Sequence, residues 1–216
     1  MRFGYVIGLL APAIIFAGVA AQAQDMSEAQ ALYDEAERLD DEEDDEEGAL
    51  ALFEQACAQD LPLGCFRAGD VLFMLSDSDE EEERSLGLIR RSCDLDYAEG
   101  CREAGDRLTR EEGGDPEALA LFLRGCELED RVSCKQAGYM YHIGRGAERD
   151  YVEARVWYDR ACVMGDPAGC HAAGKTVIAE KGRSGYPEAR TFFERGLEID
   201  PEHYDSRMAL ETIDSF

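Results

Sequence analysis

Apolar residues recur along most of this chain at the three- and four-residue spacing of amphipathic α-helices. Short polar segments separate these helices, so neighbours are expected to pack antiparallel in pairs. A last, single helix is predicted near 202–213. The five pairs are predicted at 27–39 with 47–58, 63–76 with 82–94, 98–110 with 115–127, 131–143 with 150–163, and 167–180 with 186–198.

The second helix of each pair carries a repeated stripe of core residues. A small residue comes first, and in most units a large aromatic ring follows one helical turn later. Such a stripe is typical of a helix face that is buried in a core. The small residues are Ala49, Ser85, Ala118, Ala154 and Ala189. The rings are Phe53, Phe122, Tyr158 and Phe193.

Four cysteine pairs repeat one spacing, C-x₇-C, and x-x-Ala-Gly follows each second cysteine. The first cysteines of successive pairs lie 36, 33 and 36 residues apart. A period of this length is typical of a helix-turn-helix unit that stacks on its neighbours to bury its apolar face. We therefore predict an all-α protein, a right-handed α-α solenoid of about five helix-turn-helix repeats. The Ala-Gly pairs are expected where two helices approach most closely.

The eight cysteines are predicted to form four local disulfides, because units of one structure should each close the same bridge. In the chain-entropy model, a bridge over about nine residues stabilises the fold by roughly 2.5 kcal/mol. Zinc is the alternative, but the histidines follow no repeat, so we expect neither a metal nor another cofactor. The predicted bridges are Cys57–Cys65, Cys93–Cys101, Cys126–Cys134 and Cys162–Cys170.

The chain begins like a secretory precursor. Arg2 precedes an apolar stretch over residues 3–20, and Ala21-Gln22-Ala23 has the small-x-small pattern of a cleavage site. We predict a signal peptide over residues 1–23 and an exported protein, periplasmic or secreted, with no transmembrane segment after cleavage. An uncleaved membrane anchor is the alternative, since the apolar stretch approaches spanning length. Export agrees with the cysteines, because disulfides persist in oxidising compartments.

The rest of the chain divides into three parts. We predict an N-terminal helix and acidic loop over residues 24–46, repeats over 47–200 and a capping helix over 201–216. The fifth unit has Leu197 and Asp205 at the cysteine positions. Terminal repeats are often atypical because they end the stack, so this unit is expected to act as a cap.

Acidic residues outnumber basic ones, 48 against 22. Residues 24–112 hold 29 acidic and 8 basic residues, whereas residues 113–216 hold 19 and 13. Nucleic acids and anionic lipids are therefore disfavoured as partners. The runs Asp40–Glu47 and Asp79–Glu83 are predicted to lie in loops between helices. Solvated loops are the first interpretation and a basic protein partner the second; calcium is the third, because the runs lack the alternating ligands of a calcium loop.

Residues 134–166 resemble a Sel-one-like repeat, a relative of the tetratricopeptide repeat. The matching residues are Ala137-Gly138, Tyr141, Gly144, Gly146, Asp150, Ala154, Trp157-Tyr158, Ala161 and Gly165. A weaker match extends over residues 47–200, and the paired cysteines resemble the secreted, cysteine-rich members of the family. The resemblance implies a disulfide-stabilised helical solenoid that acts mainly in protein–protein contact. Some members have been described as penicillin-binding or β-lactamase-like.

Motifs for catalysis are missing from the sequence. A serine enzyme that cleaves penicillins needs Ser-x-x-Lys with Ser-Asp-Asn and Lys-Thr-Gly elements, and none is present. His171 lies beside Cys170, but a cysteine in a disulfide has no thiolate to offer. We therefore predict a scaffold that binds a protein or peptide and is not an enzyme. The alternatives are a hydrolase acting on the cell wall or a β-lactam, and an acidic cation-binding structural protein.

The first helix of each pair is expected to carry the binding surface, by analogy with tetratricopeptide stacks. Positions one, two and five after the second cysteine vary between units while their neighbours do not. Variation on a repeated scaffold suits recognition, although ordinary solvent-facing positions would also vary. The partner is expected to be a protein or peptide, and the chain a monomer. The predicted binding residues are Arg67, Asp70, Arg102, Asp106, Lys135, Tyr139, His171 and Lys175.

Overall fold

The computed structural model describes residues 13–43, 45–111 and 113–215, with only the helical backbone described for residues 13–26 and Glu43. Of the predicted signal peptide, residues 1–23, the first 12 residues therefore lie outside the described residues, and the backbone of the others belongs to α1. The helices are α1 (Ala13–Glu43), α2 (Glu46–Ala58), α3 (Pro62–Leu75), α4 (Asp79–Asp94), α5 (Ala98–Leu108), α6 (Asp115–Glu127), α7 (Arg131–Ile143), α8 (Tyr151–Val163), α9 (Pro167–Lys181), α10 (Tyr186–Ile199) and α11 (Tyr204–Asp214). A 3₁₀ turn, Gly182–Gly185, links α9 to α10.

Each helix packs against the next one along the chain, from α1 to α11, and α11 also contacts α9. The protein is thus an all-α solenoid of about five helix pairs with α11 at its end, which confirms the fold class predicted from the repeat. Among the described residues, none of the helices combines the length and apolarity that crossing a bilayer requires. Four disulfides join the paired cysteines as the repeat predicts, each between the end of one pair and the start of the next.

The Ala-Gly positions lie where the two helices of a pair touch. A Cβ atom on Gly138 would come within 2.8 Å of the Tyr158 ring, and one on Gly105 within 2.7 Å of the Phe122 ring. Gly174 faces Phe193 in the same way. The glycine therefore makes room for the ring of the core stripe, which is why both recur in the same units.

Small residues also meet at the disulfide corners, a second pattern that sequence reasoning missed. The residues just before the two cysteines of each bridge pack against one another, and one of the two is always glycine. A Cβ atom on Gly64 or on Gly169 would come within 2.8 Å of an alanine Cβ. A similar contact occurs between α10 and α11, where Gly196 faces Ser206. The facing residues are Ala56 and Gly64, Ser92 and Gly100, Gly125 and Ser133, and Ala161 and Gly169.

The acidic runs lie mainly in helices, so the prediction of acidic loops is wrong. Helix α1 continues to Glu43, and α2 begins at Glu46 after Asp45, whose carboxylate accepts a hydrogen bond from Gly48 N at 3.0 Å. The second run, Asp79–Glu83, forms the first turns of α4. Acidic side chains at the start of a helix interact favourably with the helix dipole, which favours helix over loop there.

Helix α4 begins three residues before the predicted start because the side chains of Ser78 and Glu81 cap its amino terminus. Ser78 Oγ accepts a hydrogen bond from Glu81 N at 3.4 Å, and the Glu81 carboxylate accepts one from Asp77 N at 3.1 Å. These contacts satisfy backbone N–H groups that have no partner inside the helix. The hydrogen bond from Asp77 N is also the main reason that the pKa of Glu81 is lowered.

Candidate functional site

The first helices α3, α5, α7 and α9 carry the eight predicted binding residues, which we call the first-helix face. Contacts between successive first helices join much of this face into one surface. Arg67 of α3 pairs with Asp40 of α1 at 2.6 Å. Gln136 of α7 donates a hydrogen bond to Asp106 of α5 at 3.1 Å. The structure therefore brings residues from different units into line, as the repeat requires.

In the amino-terminal half of the face, the charged side chains are already engaged in ion pairs. Arg67 also lies 2.9 Å from Glu37, although the two atoms are not aligned as a hydrogen bond. Arg102 pairs with Glu99 at 2.6 Å and lies 3.8 Å from Asp130, which caps α7. Partly exposed ion pairs are each worth about 1 kcal/mol or less, but a partner must break them to use these side chains. These residues stabilise the stacking of units more than they offer free contacts.

Lys135 in α7 makes the same kind of contact with the start of α9. Its ammonium lies 2.8 Å from the Asp166 carboxylate. Asp166 is almost fully buried and also accepts hydrogen bonds from Ala168 N at 2.9 Å and Gly169 N at 3.2 Å. Asp166 is therefore the N-cap of α9 and an ion-pair partner at once.

Arg107 is a buried charge that sequence reasoning missed. Its side chain is 9% exposed, and its guanidinium donates hydrogen bonds to Glu103 at 2.9 Å and to Ser85 Oγ at 2.8 Å. It also lies 3.7 Å from Asp70 and 4.3 Å from the centre of the Phe73 ring. Ser85 is the one break in the alanine stripe, and it stands there because it accepts from Arg107. That break was the signal that could have revealed the buried arginine.

Tyr139 and Lys175, near the carboxyl end of the face, remain open. Tyr139 is 49% exposed. Lys175 is exposed and forms no ion pair with any described residue. These two are thus the predicted binding residues with most freedom to contact a partner.

A groove of about 390 Å³ opens between α9 and α11, and His171 and Lys175 both line it. Its other walls are mostly apolar, with Phe193 and Ile213 at the base and Asp205 as the acidic member. Burial, more than the nearby charge of Lys175, lowers the pKa of His171, while Asp205 opposes this shift. The His171 ring lies 5.7 Å from the Phe193 ring and 6.1 Å from that of His203. A neutral His171 therefore adds to the apolar character of this groove.

The described residues include no cluster of three or more His, Cys, Asp or Glu side chains that could hold a metal ion. All eight cysteines are in disulfides, so Cys170 beside His171 has no free thiol. The arrangement can bind through apolar, aromatic and charged contacts.

The comparisons with known proteins agree with this geometry. The family model described as Sel1 repeat matches residues 40–61 and 132–166. Over these two segments the chain is similar to Sel1 repeats. The second match confirms the resemblance seen in residues 134–166. The first match begins at residue 40, whereas the repeats were predicted to begin at residue 47.

Solved structures share the fold. One is c5321, described as a protective antigen of uropathogenic Escherichia coli with an SLR fold, with a TM-score of 0.64 and 23% identity. The match covers 79% of this chain and 38% of c5321, so this chain spans less than half the length of that protein. Another is a Sel1 repeat protein from Oxalobacter formigenes, with a TM-score of 0.60, 15% identity and 87% of each chain covered. No curated protein sequence matches this chain.

Proposed function

We propose that this Sel1-repeat protein is an exported scaffold that binds a protein or peptide at the carboxyl-terminal part of its first-helix face. The observation that carries the proposal is the contrast along the face. Arg67, Arg102 and Lys135 are held in contacts between units, while Tyr139 is exposed and Lys175 is open at a groove with an apolar base. Exposed tyrosines and apolar grooves are both typical of recognition surfaces.

Export is proposed on two grounds. The amino-terminal residues have the pattern of a signal peptide, and all eight cysteines form disulfides. Disulfides of this number persist in oxidising compartments and are rare in a reducing cytosol.

The test begins with a partner identified by photo-crosslinking at Tyr139 in native cells, followed by mass spectrometry. Tyr139→Ala combined with Lys175→Ser should then weaken binding by about tenfold or more, since truncation of an interface hot spot costs about 2 kcal/mol. Val156→Ala combined with Arg160→Ser on α8 is the matched control, because Val156 is 51% exposed and lies on a second helix.

Two results would contradict the proposal. One is binding that survives the Tyr139 and Lys175 variant but is lost in the α8 control, which would place recognition on the second helices. The other is turnover of a chromogenic β-lactam by the oxidised, purified protein, which would favour the hydrolase alternative.

A further inference from the structure

A second cleft, of about 540 Å³, lies where the end of α3, the start of α4 and the end of α5 meet. Phe73 and Leu86 provide its apolar surface. The Arg107 guanidinium, 4.3 Å from the centre of the Phe73 ring, holds one side of that ring and leaves 43% of Phe73 exposed. We call this site the α3–α5 cleft.

Apolar surface continues from the cleft along the last turn of α3. Met74 is 60% exposed and Leu75 is 36% exposed, so three consecutive large apolar residues face solvent there. Single exposed apolar residues are ordinary, but a contiguous group beside a cleft is typical of a docking surface.

Carboxylates without partners surround this apolar surface. Asp79, Glu82, Glu83 and Glu111 line the cleft, are exposed, and form no ion pair within the described part of the chain. The amino terminus of α4 offsets only about half of one unit charge, while three of these carboxylates lie in its first turns.

The arginines of the cleft do not neutralise these carboxylates. Arg90 pairs with Glu117 at 2.8 Å, outside the cleft, and Arg107 pairs with Glu103 at 2.9 Å. Arg110 is the cleft arginine that lacks an ion pair among the described residues. In a later unit the corresponding edge is balanced, since Lys181 lies 2.6 Å from Glu188.

We propose that the α3–α5 cleft binds a basic peptide segment, with one aromatic or long aliphatic side chain on Phe73 and Leu86 and flanking Lys or Arg residues on Glu82, Glu83 and Glu111. The charge of the surroundings selects this partner, because residues 24–112 hold 29 acidic and 8 basic residues. An anionic lipid surface would be repelled, and so would a second copy of this acidic chain. The inference deepens the proposed scaffold function and adds a second site to it.

The test exposes the oxidised full chain to a displayed library of random twelve-residue peptides, and remakes the enriched peptides with a fluorescent label for anisotropy. Enriched peptides should combine Lys or Arg with an aromatic or long aliphatic residue. Phe73→Ala should weaken their binding about tenfold. Glu82→Gln with Glu83→Gln should weaken it at least threefold at low salt, with a smaller loss at high salt because salt screens exposed charges.

The matched controls are Val152→Ala, at a valine that is 48% exposed on α8, and Glu46→Gln with Glu47→Gln in the first turn of α2. Both should bind like the unmodified chain. The glutamine variants keep the proposal testable if Phe73→Ala proves unstable, since they leave the apolar contacts intact.

Any one of three outcomes would overturn the proposal that the α3–α5 cleft binds a basic peptide. The library yields no peptide, the enriched peptides lack an excess of basic residues, or the cleft variants keep full affinity. If peptides lose affinity for the Tyr139 and Lys175 variant but not for the cleft variants, the proposed scaffold function stands and the cleft proposal falls.

Discussion

Glu129 has a backbone conformation that glycine adopts more readily. Its φ is +67°, and Asp60 and Asp96 at the equivalent turns have φ values of +59° and +64°. The same position in the next unit is Gly165, with a φ of +83°. Each of these residues lies just before an N-cap at a disulfide corner, so the chain reverses direction there in the left-handed region.

Glu129→Gly should therefore stabilise the protein. A side chain in the left-handed region costs about 1–2 kcal/mol, which exceeds the entropy cost of glycine, so we expect a gain of about 0.5–1 kcal/mol in the free energy of unfolding. Urea denaturation measures it. Glu127→Gly in the last turn of α6 is the control and should destabilise, and a loss of stability in Glu129→Gly would contradict the argument.

Ser85 departs from the repeat pattern because its hydroxyl has hydrogen-bond partners that an alanine could not serve. It replaces the alanine of the stripe, donates to Gly69 O at 2.5 Å and accepts from Arg107. Ser85→Ala restores the common alanine but should lower the free energy of unfolding by about 1–2 kcal/mol, because two buried polar groups lose a partner. Ser184→Ala, at an exposed serine, should change it by less than about 0.5 kcal/mol. Equal thermal stability of the two variants would refute this account of the buried arginine.

At the scale of elements, the acidic runs form the ends of helices. Replacing residues 40–47 with a Gly/Ser linker of equal length should lower the free energy of unfolding by at least about 2 kcal/mol, because it removes the Asp45 cap and places glycine inside α1. Circular dichroism during thermal unfolding measures the loss. As control, Asn and Gln at the same positions keep the helix and a capping side chain, and should cost less. An unchanged melting temperature for the Gly/Ser variant would support a solvated loop instead.

Helix α9 should respond to pH through His171. Because burial lowers the pKa of His171 below that of the unfolded chain, the unfolded state binds the proton first as pH falls. Stability is therefore full above pH about 6.5, the ordinary histidine value, and declines as pH falls through the folded pKa. Unfolding at pH 7.5, 6.5 and 5.5 should show this decline, and His171→Gln should reduce it. His142, whose pKa burial also lowers, should add to the decline. A decline that His171→Gln does not alter would contradict a role for His171.

For the whole molecule, the four disulfides form a buried edge along the stack. Every cysteine is at most 2% exposed. We therefore expect a soluble reductant to react slowly with the native protein and quickly once urea unfolds it, as thiol titration over time would show. Peptide mapping without reduction should recover each C-x₇-C pair as one local bridge. Fast reduction of the native chain, or a bridge joining cysteines of different C-x₇-C pairs, would contradict this view.

Stacking of units also depends on charges that reach across them. Arg195 of α10 pairs with Asp159 of α8 at 2.7 Å, and Arg155 of α8 pairs with Glu188 of α10 at 3.0 Å. First helices are linked similarly by Arg67 and Lys135. Such networks add to the apolar contacts between neighbours, and in a solenoid stability is nearly a sum over those neighbours.

The sequence by itself determined the repeat, the helix pairs and the partners of the cysteines. These follow from local periodicity. The contact of Gly138 with Tyr158 is specified within one helix pair, and the eight-residue step from Cys126 to Cys134 recurs in the other three cysteine pairs. The misplaced acidic runs mark the limit of that approach, because runs of charge look alike in loops and in first turns. The Ser78-x-x-Glu81 pattern, which is typical of a helix start and distinguishes the two cases, was present in the sequence but overlooked.

Only the tertiary structure decided which side chains are free. Arg67 and Lys175 occupy varying positions on equivalent first helices, yet one is paired across units and the other is open. The partner of Arg67, Asp40, lies 27 residues away in the sequence, and a pattern within one unit carries no information on a contact of that range. The α3–α5 cleft has the same origin. Phe73 and Glu83 belong to the pair α3 and α4, whereas Glu111 follows α5 of the next pair, so they meet only when the units stack.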